Sequence, residues 1–231
     1  MLSKLLKILL HKLRNLVIGD FRSKKLSAII VEKIIKYNKK KKIKILDYGS
    51  GYQPKVIYFV NESLMQLYKK KISIDCYDFY SKKDLKKLNN NKKNNIAFHS
   101  INSIKKNKKK YDFCLINDVI HHIGIEKEKL IIGILNNLAD VSKIVFIKDH
   151  FQQGAVSNTI IRIMDFLGNY FNDVKTPKNY YSIKTFEKFI KKTNSKIIER
   201  VIGIKLYPSF LLFMSNPKFN FIYLIKKFRI K

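Results

Sequence analysis

Short, nearly continuous apolar runs alternate with longer stretches of three-to-four-residue apolar spacing along most of this chain. That alternation predicts strands separated by helices. The runs fall at 43–48, 71–77, 96–100, 111–117 and 143–148. Helical spacing falls on Leu26, Ile29, Ile30, Ile34 and Ile35 within 24–38, and on Val56, Ile57, Val60, Leu64 and Leu67 after Pro54. It returns on Leu130, Ile131, Ile134, Leu135 and Leu138 within 126–139, and on Ile160, Ile161, Met164 and Leu167 within 157–171. Pro54 suits the first turn of a helix, where a missing N–H costs nothing. Ser182 suits the N-cap of a helix over 183–193. The lysine-rich stretch 82–95 predicts a short helix and an exposed loop. Two final strands, 196–207 and 219–228, follow one another without a helix, which predicts an antiparallel pair at a sheet edge. The expected fold class is α/β, a doubly wound sheet, mostly parallel with an antiparallel final strand.

Ahead of this lies a stretch with one apolar face. Leu2, Leu5, Leu6, Leu9, Leu10, Leu13, Leu16 and Val17 recur at helical spacing, and Lys4, Lys7, His11, Lys12 and Arg14 mostly take the other side. A basic amphipathic helix of this kind lies on an anionic membrane surface, or else packs on the domain and lids a pocket. The expected division is therefore 1–42, N-terminal, helical and basic, and 43–231, the main domain, with an insertion at about 151–182.

Composition changes the picture in one respect. The 231 residues, 46% apolar, suit one domain with a sizeable core. The net charge of +31 is extreme. It fits a negatively charged partner such as nucleic acid, an anionic membrane or a phosphorylated substrate. It fits better an A-rich codon usage, since lysine far outnumbers arginine and asparagine is abundant, as in 89–95. Cys76 and Cys114 lie inside apolar runs and read as reduced packing residues of a cytoplasmic protein. No run of 18 apolar residues predicts a membrane span, and the N-terminus lacks the pattern of a signal peptide.

Ligands of an open parallel sheet sit beyond the carboxyl ends of its strands. Here those ends carry Asp47, Gly49 and Gly51; Asp75 and Asp78; Asn102; Asn117 and Asp118, followed by His121 and His122; and Asp149 and His150. Polar groups at all five ends are hard to assign to packing. Gly49-Ser50-Gly51-Tyr52-Gln53-Pro54 departs from the dinucleotide fingerprint, and no Gly-Lys-Ser/Thr phosphate loop occurs. A metal site is not expected, because adjacent histidines on a helix point in different directions.

Ile45-Leu46-Asp47-Tyr48-Gly49-Ser50-Gly51 resembles the first motif of the class I S-adenosylmethionine-dependent methyltransferases. Tyr111 to Ile123 resembles their fourth-strand motif with its usual histidine, and Ile147-Lys148-Asp149-His150 the end of the fifth strand in one branch. Asp165 to Asn169, Thr176-Pro177 and Tyr180-Tyr181-Ser182 resemble that branch's following segment. The similarity covers about residues 43–228 and implies a Rossmann-like fold and S-adenosyl-L-methionine as cofactor. Gln53 stands where the family often has glycine, and Asn102 where it often has an acid.

The resemblance implies that the glycine loop lies against the methionine part of the cofactor. Asp47 would orient its ammonium, Asp78 (or Asp75) would accept from the ribose hydroxyls, Asn102 would reach the adenine, and Asn117 would face the methionine end. Where an oxygen or nitrogen acceptor carries a proton that must be removed, histidine suits this near neutral pH. His150, Asp149, His122 and His121 are the candidates, with an Asp149–His150 pair preferred. Met164, Phe166, Tyr170, Phe171, Tyr180 and Tyr181 would form the acceptor pocket. The expected function is O- or N-methylation of a small-molecule, sugar or lipid-linked acceptor. Alternatives are an RNA methyltransferase, motivated by the charge, and a non-catalytic membrane-associated binding module on the same scaffold.

Overall fold

The computed structural model describes residues 20–40, 42–52, 54–68, 71–90, 95–106, 110–169, 176–211 and 215–228. The expected helix over 2–17 lies outside these residues, as do Gln53, Tyr170 and Phe171. In chain order the elements are α1 (Phe21–Tyr37), β1 (Ile43–Tyr48), α2 (Lys55–Tyr68), β2 (Ile72–Asp78), α3 (Lys82–Asn90), β3 (Ile96–Ser100), β4 (Tyr111–Asn117), α4 (Ile120–Ile123), α5 (Glu128–Val141), β5 (Ser142–His150), α6 (Ala155–Asn169), α7 (Ile183–Lys191), β6 (Ser195–Ile202) and β7 (Asn220–Lys227).

The strands form a seven-stranded sheet in the order β3-β2-β1-β4-β5-β7-β6. Pairing is parallel from β3 through β5. β7 runs antiparallel to both β5 and β6, so it is the reversed strand and sits one place in from the edge. Strand order reverses between β1 and β4. The loops leaving these two strands therefore diverge and leave a crevice at the carboxyl edge of the sheet.

Both faces of the sheet are covered, which is why its strands are apolar at nearly every position rather than at alternate ones. Phe113 and Leu115 of β4 pack on one side with Leu26, Ile30 and Ile34 of α1 and Ile57, Val60 and Leu64 of α2. Cys114 and Ile116 pack on the other side with Ile131, Leu135 and Leu138 of α5 and Phe186, Phe189 and Ile190 of α7. Cys76 belongs to the first layer and Cys114 to the second, so the sheet separates them and both are free thiols. Ser182 caps α7 as expected, its hydroxyl accepting from the Thr185 N–H at 3.1 Å.

Some boundaries differ from the expectation. β5 does not stop at Lys148 but continues through Asp149 and His150, which pair with Phe221 and Asn220 of β7. β6 stops at Ile202 rather than near 207, just before Gly203 at a φ of 87°. The two ends of the 151–182 insertion lie side by side: the Gln152 N–H donates to the Tyr181 carbonyl at 2.9 Å.

Candidate active site

The β1 strand ends in a loop that turns twice through left-handed backbone. Gly49 has φ 77° and Gly51 has φ 69°, conformations that a Cβ disfavours. A Cβ at Gly49 would also overlap the Val119 side chain. Among the described residues, nothing lies within 4 Å of where a Cβ at Gly51 would be. The loop is tied to β2. Gly49 N–H donates to the Tyr77 carbonyl at 2.8 Å. Gly51 N–H donates to Asp78 Oδ2 at 2.6 Å, and Phe79 N–H to Asp78 Oδ1 at 2.6 Å. Tyr80 donates its hydroxyl to the Gly51 carbonyl at 2.7 Å.

Asp47 is buried beneath this loop. Burial, reinforced by the nearby Asp78 carboxylate, pushes its carboxyl up to about 7. Asp75 has different company. It sits inside β2 and accepts from Tyr111 Oη at 2.8 Å and pairs with His99 Nε2 at 2.9 Å, so only Asp78 lies against the glycine loop. Asn102 is exposed, in the 3-10 turn Ile101–Lys106 that follows β3. Asn117 ends β4, and its side-chain oxygen is buried without a hydrogen-bond partner.

Asp118, next in the chain, adopts φ 54°, an unusual conformation for a residue with a Cβ. Its carboxylate meets Arg22 of α1, Lys148 Nζ at 2.5 Å and His150 Nε2 at 3.2 Å. Burial opposes ionisation of Asp118, but Arg22 and Lys148 hold it well below the usual carboxylate range. Lys148 is fully buried, and burial draws its amine down to about 8. Burial and the neighbouring Lys148 draw His150 down to about 4.

The expected Asp149–His150 side-chain pair does not form. Successive strand residues point to opposite faces, and Asp149 turns away from His150 toward His121. Its Oδ1 pairs with His121 Nδ1, and its Oδ2 accepts the His121 N–H at 3.2 Å. His121 is 1% exposed. Burial would lower its basicity, but the Asp149 carboxylate, with Asp165 behind it, raises it to about 10. Its other ring nitrogen, Nε2, lies 3.5 Å from Asp165 Oδ1 and makes no hydrogen bond among the described residues. His122 does not point away as adjacent helical residues should. The helix is only four residues long, and the two imidazole centroids stand 3.9 Å apart. His122 Nε2 is 4.0 Å from Asp165 Oδ1. Tyr180 covers His121 with ring centroids 5.3 Å apart.

Of the aromatic residues expected around an acceptor, Tyr181 is core: it is buried and donates its hydroxyl to the Ile120 carbonyl at 3.2 Å. Phe166 is half exposed. Arg22 carries a part of the site that no local pattern singles out, and Lys148 and Val119 stand in the quoted motifs without an expected role. Asp118 and Asp165 stand in the quoted motifs, yet their partners are distant in sequence.

No family model matches the chain, and no curated protein matches it by sequence. Comparison of folds gives a different result. The architecture is that of the class I S-adenosylmethionine-dependent methyltransferases. It is similar to magnesium protoporphyrin IX methyltransferase (ChlM) from Synechocystis with bound SAH, at TM-score 0.57 and 12% identity over 90% of this chain and 84% of that one. It is similar to the mitomycin 7-O-methyltransferase MmcR at TM-score 0.60 and 11% identity, covering 91% of this chain but only 55% of MmcR. The plantazolicin methyltransferase BpumL, in complex with a monoazolic desmethylPZN analog and SAH, aligns at TM-score 0.58 and 15% identity, over 99% of this chain and 92% of that one. Among the described residues, no helix is long and apolar enough to cross a membrane.

Proposed function

We propose that the protein is an S-adenosylmethionine-dependent methyltransferase acting on a small-molecule, sugar or lipid-linked acceptor through oxygen or nitrogen. The observation that carries this is the left-handed Gly49–Gly51 loop at the strand-order reversal, with no described residue within 4 Å of where a Cβ at Gly51 would be. The donor set beside it fits the cofactor: a buried carboxyl at Asp47, a carboxylate at Asp78 and an unpartnered buried amide oxygen at Asn117.

In this reading Asp47 takes the cofactor's ammonium, and Asn117 accepts from the same end. Asp78 accepts the ribose hydroxyls. Each of its oxygens already accepts one backbone N–H at 2.6 Å, but a carboxylate oxygen has a second lone pair. Asn102, exposed at the end of β3, supplies an amide to the adenine edge. When bound, S-adenosylmethionine supplies a methyl group activated on a sulfonium, so the protein's task is alignment and proton management. Asp149 fixes the orientation of His121. His121 and His122, their rings tilted at 43° with centroids 3.9 Å apart, stand on the acceptor side of the crevice. His150 faces Lys148 and Asp118 instead, and acts as a positioning residue. Met164, Phe166 and Tyr180 line the acceptor side.

Calorimetric titration of the purified chain with S-adenosylhomocysteine tests the reading. One site per chain is expected, with binding lost in Gly49→Arg and Asp78→Ala variants that keep the native circular dichroism. Undiminished binding in both variants would defeat the assignment.

A further inference from the structure

We propose that His121, His122 and Asp165 form a divalent-metal site of the zinc class, with Asp149 as the carboxylate that orients the buried histidine. The donor atoms of these three residues lie within 4.8 Å of one another. Two imidazole nitrogens and one carboxylate oxygen suit Zn²⁺, Co²⁺ or Fe²⁺ and do not suit Mg²⁺ or Ca²⁺, which favour oxygen-only shells.

Two observations beyond the clustering point to a ligand. His121 Nε2 is buried, makes no hydrogen bond among the described residues, and lies 3.5 Å from Asp165 Oδ1. The opposite nitrogen of the same ring is held by Asp149, and a carboxylate on the far nitrogen is the usual support of a metal-bound histidine. Two carboxylates, Asp149 and Asp165, flank one buried imidazole.

The spacing is close to what tetrahedral coordination needs. Bonds of about 2.0–2.1 Å place neighbouring donors roughly 3.3 Å apart. The His121–Asp165 contact of 3.5 Å already meets this, and His122 has to close in from 4.0 Å. His121 is held by Asp149 and packs against Tyr180, and 22% of the His122 side chain is exposed. Three protein donors leave a fourth position for water or for an oxygen of the methyl acceptor. This last step rests on the methyltransferase reading; metal binding itself does not.

The test is titration of the full chain with Zn²⁺ by calorimetry, with Co²⁺ absorption as a second readout. The expected result is one Zn²⁺ per chain at micromolar affinity or tighter, visible ligand-field bands for Co²⁺, and Mg²⁺ binding at least about 100-fold weaker. His122→Ala and Asp165→Asn should each weaken Zn²⁺ by about tenfold or more. Asp149→Asn should weaken it by roughly 10–100-fold, the usual effect of losing an orienting carboxylate. The first two side chains are only partly buried, so they carry the test should Asp149→Asn fail to fold. Absence of stoichiometric Zn²⁺ binding, or binding unchanged in both His122→Ala and Asp165→Asn, overturns the proposal. S-adenosylhomocysteine titrated into the same samples separates the two readings. Cofactor binding without metal binding sinks only the metal site, and the reverse sinks only the methyltransferase.

Discussion

Gly49 and Val119 share a space that only one side chain can occupy. A Cβ on residue 49 would run into both Val119 methyls, the farther of them 3.3 Å away. Val119 comes from the loop after β4, so this contact seats the first loop of the crevice against the fourth. Gly49→Ala carries two penalties, the left-handed φ and the overlap, together expected to cost about 2–4 kcal/mol. Gly49→Ala/Val119→Ala removes the overlap and keeps the φ strain. The double variant should therefore be more stable than the sum of the single losses, with a coupling of about 1 kcal/mol or more. Urea unfolding of the four proteins measures this; strict additivity would mean that the two residues do not compete.

Asp47 is buried at the expense of stability. Burial, with the Asp78 carboxylate nearby, pushes its carboxyl up to about 7 from an ordinary 3.8. The folded pKa is raised, so the contribution of this group to stability is full below 3.8 and is lost as pH rises through about 7. Asp47→Asn removes that loss. The variant should match the wild type near pH 4 and exceed it by about 1–3 kcal/mol at pH 8. Binding should move the other way. If the ionised form takes the cofactor's ammonium, wild-type affinity for S-adenosylhomocysteine rises with pH up to about 7 and then levels off. The Asp47→Asn variant should bind weakly with no such slope. A variant that keeps wild-type affinity at pH 8 would remove Asp47 from the site.

The fold was legible where local pattern decides structure. Both faces of the sheet are buried, so Ile45, Ile74, Phe113 and Val145 sit in continuous apolar runs that mark their strands. The glycine loop was legible because left-handed turns demand glycine locally. β5 was cut short at Lys148 because Lys-Asp-His reads as an exit from the sheet. The strand continues because each of these polar side chains finds a partner that is remote in sequence: Asp118 for Lys148 and His150, His121 for Asp149. Asp149 and His150 are adjacent in sequence, but strand alternation sends their side chains to opposite faces. The Arg22–Asp118 contact spans 96 residues, and no periodicity encodes it.

That Arg22–Asp118 contact fastens α1 to the carboxyl edge of the sheet. Removing Arg22 leaves a half-buried carboxylate with one fewer cation, which costs about 2–4 kcal/mol, at or below the range for a fully buried pair. The loss should spread to the crevice, because Asp118 lies between Asn117 and Val119. Arg22→Met is expected to lower stability by about 2–4 kcal/mol and to weaken S-adenosylhomocysteine binding about tenfold. Arg22→Lys should recover only part, since an ammonium lacks the guanidinium's planar fork. If Arg22→Met loses stability while affinity is untouched, α1 is a structural cover without influence on the loop.

Glu199 offers a separate test, far from the crevice, of how α1 is held. It projects from the edge strand β6 and receives Lys33 Nζ at 2.7 Å, Lys36 Nζ at 3.0 Å and the Tyr37 hydroxyl at 2.8 Å, all from α1. Partial burial opposes its ionisation, but these donors, Lys33 foremost, bring its carboxyl down to about 2 from 4.5. A depressed folded pKa means stability that is present above 4.5 and lost as pH falls through about 2. The side chain is 16% exposed, so solvent screens part of the attraction. A contribution of about 1–2 kcal/mol at neutral pH is expected. Glu199→Gln keeps the Tyr37 hydrogen bond and removes the charge. Thermal unfolding should show the variant less stable than wild type at pH 7, with the gap narrowing as pH falls from 4.5 to 2.5. A gap that stays constant over that range would show that the charge contributes nothing, and that the tyrosine hydrogen bond and apolar packing alone join α1 to β6.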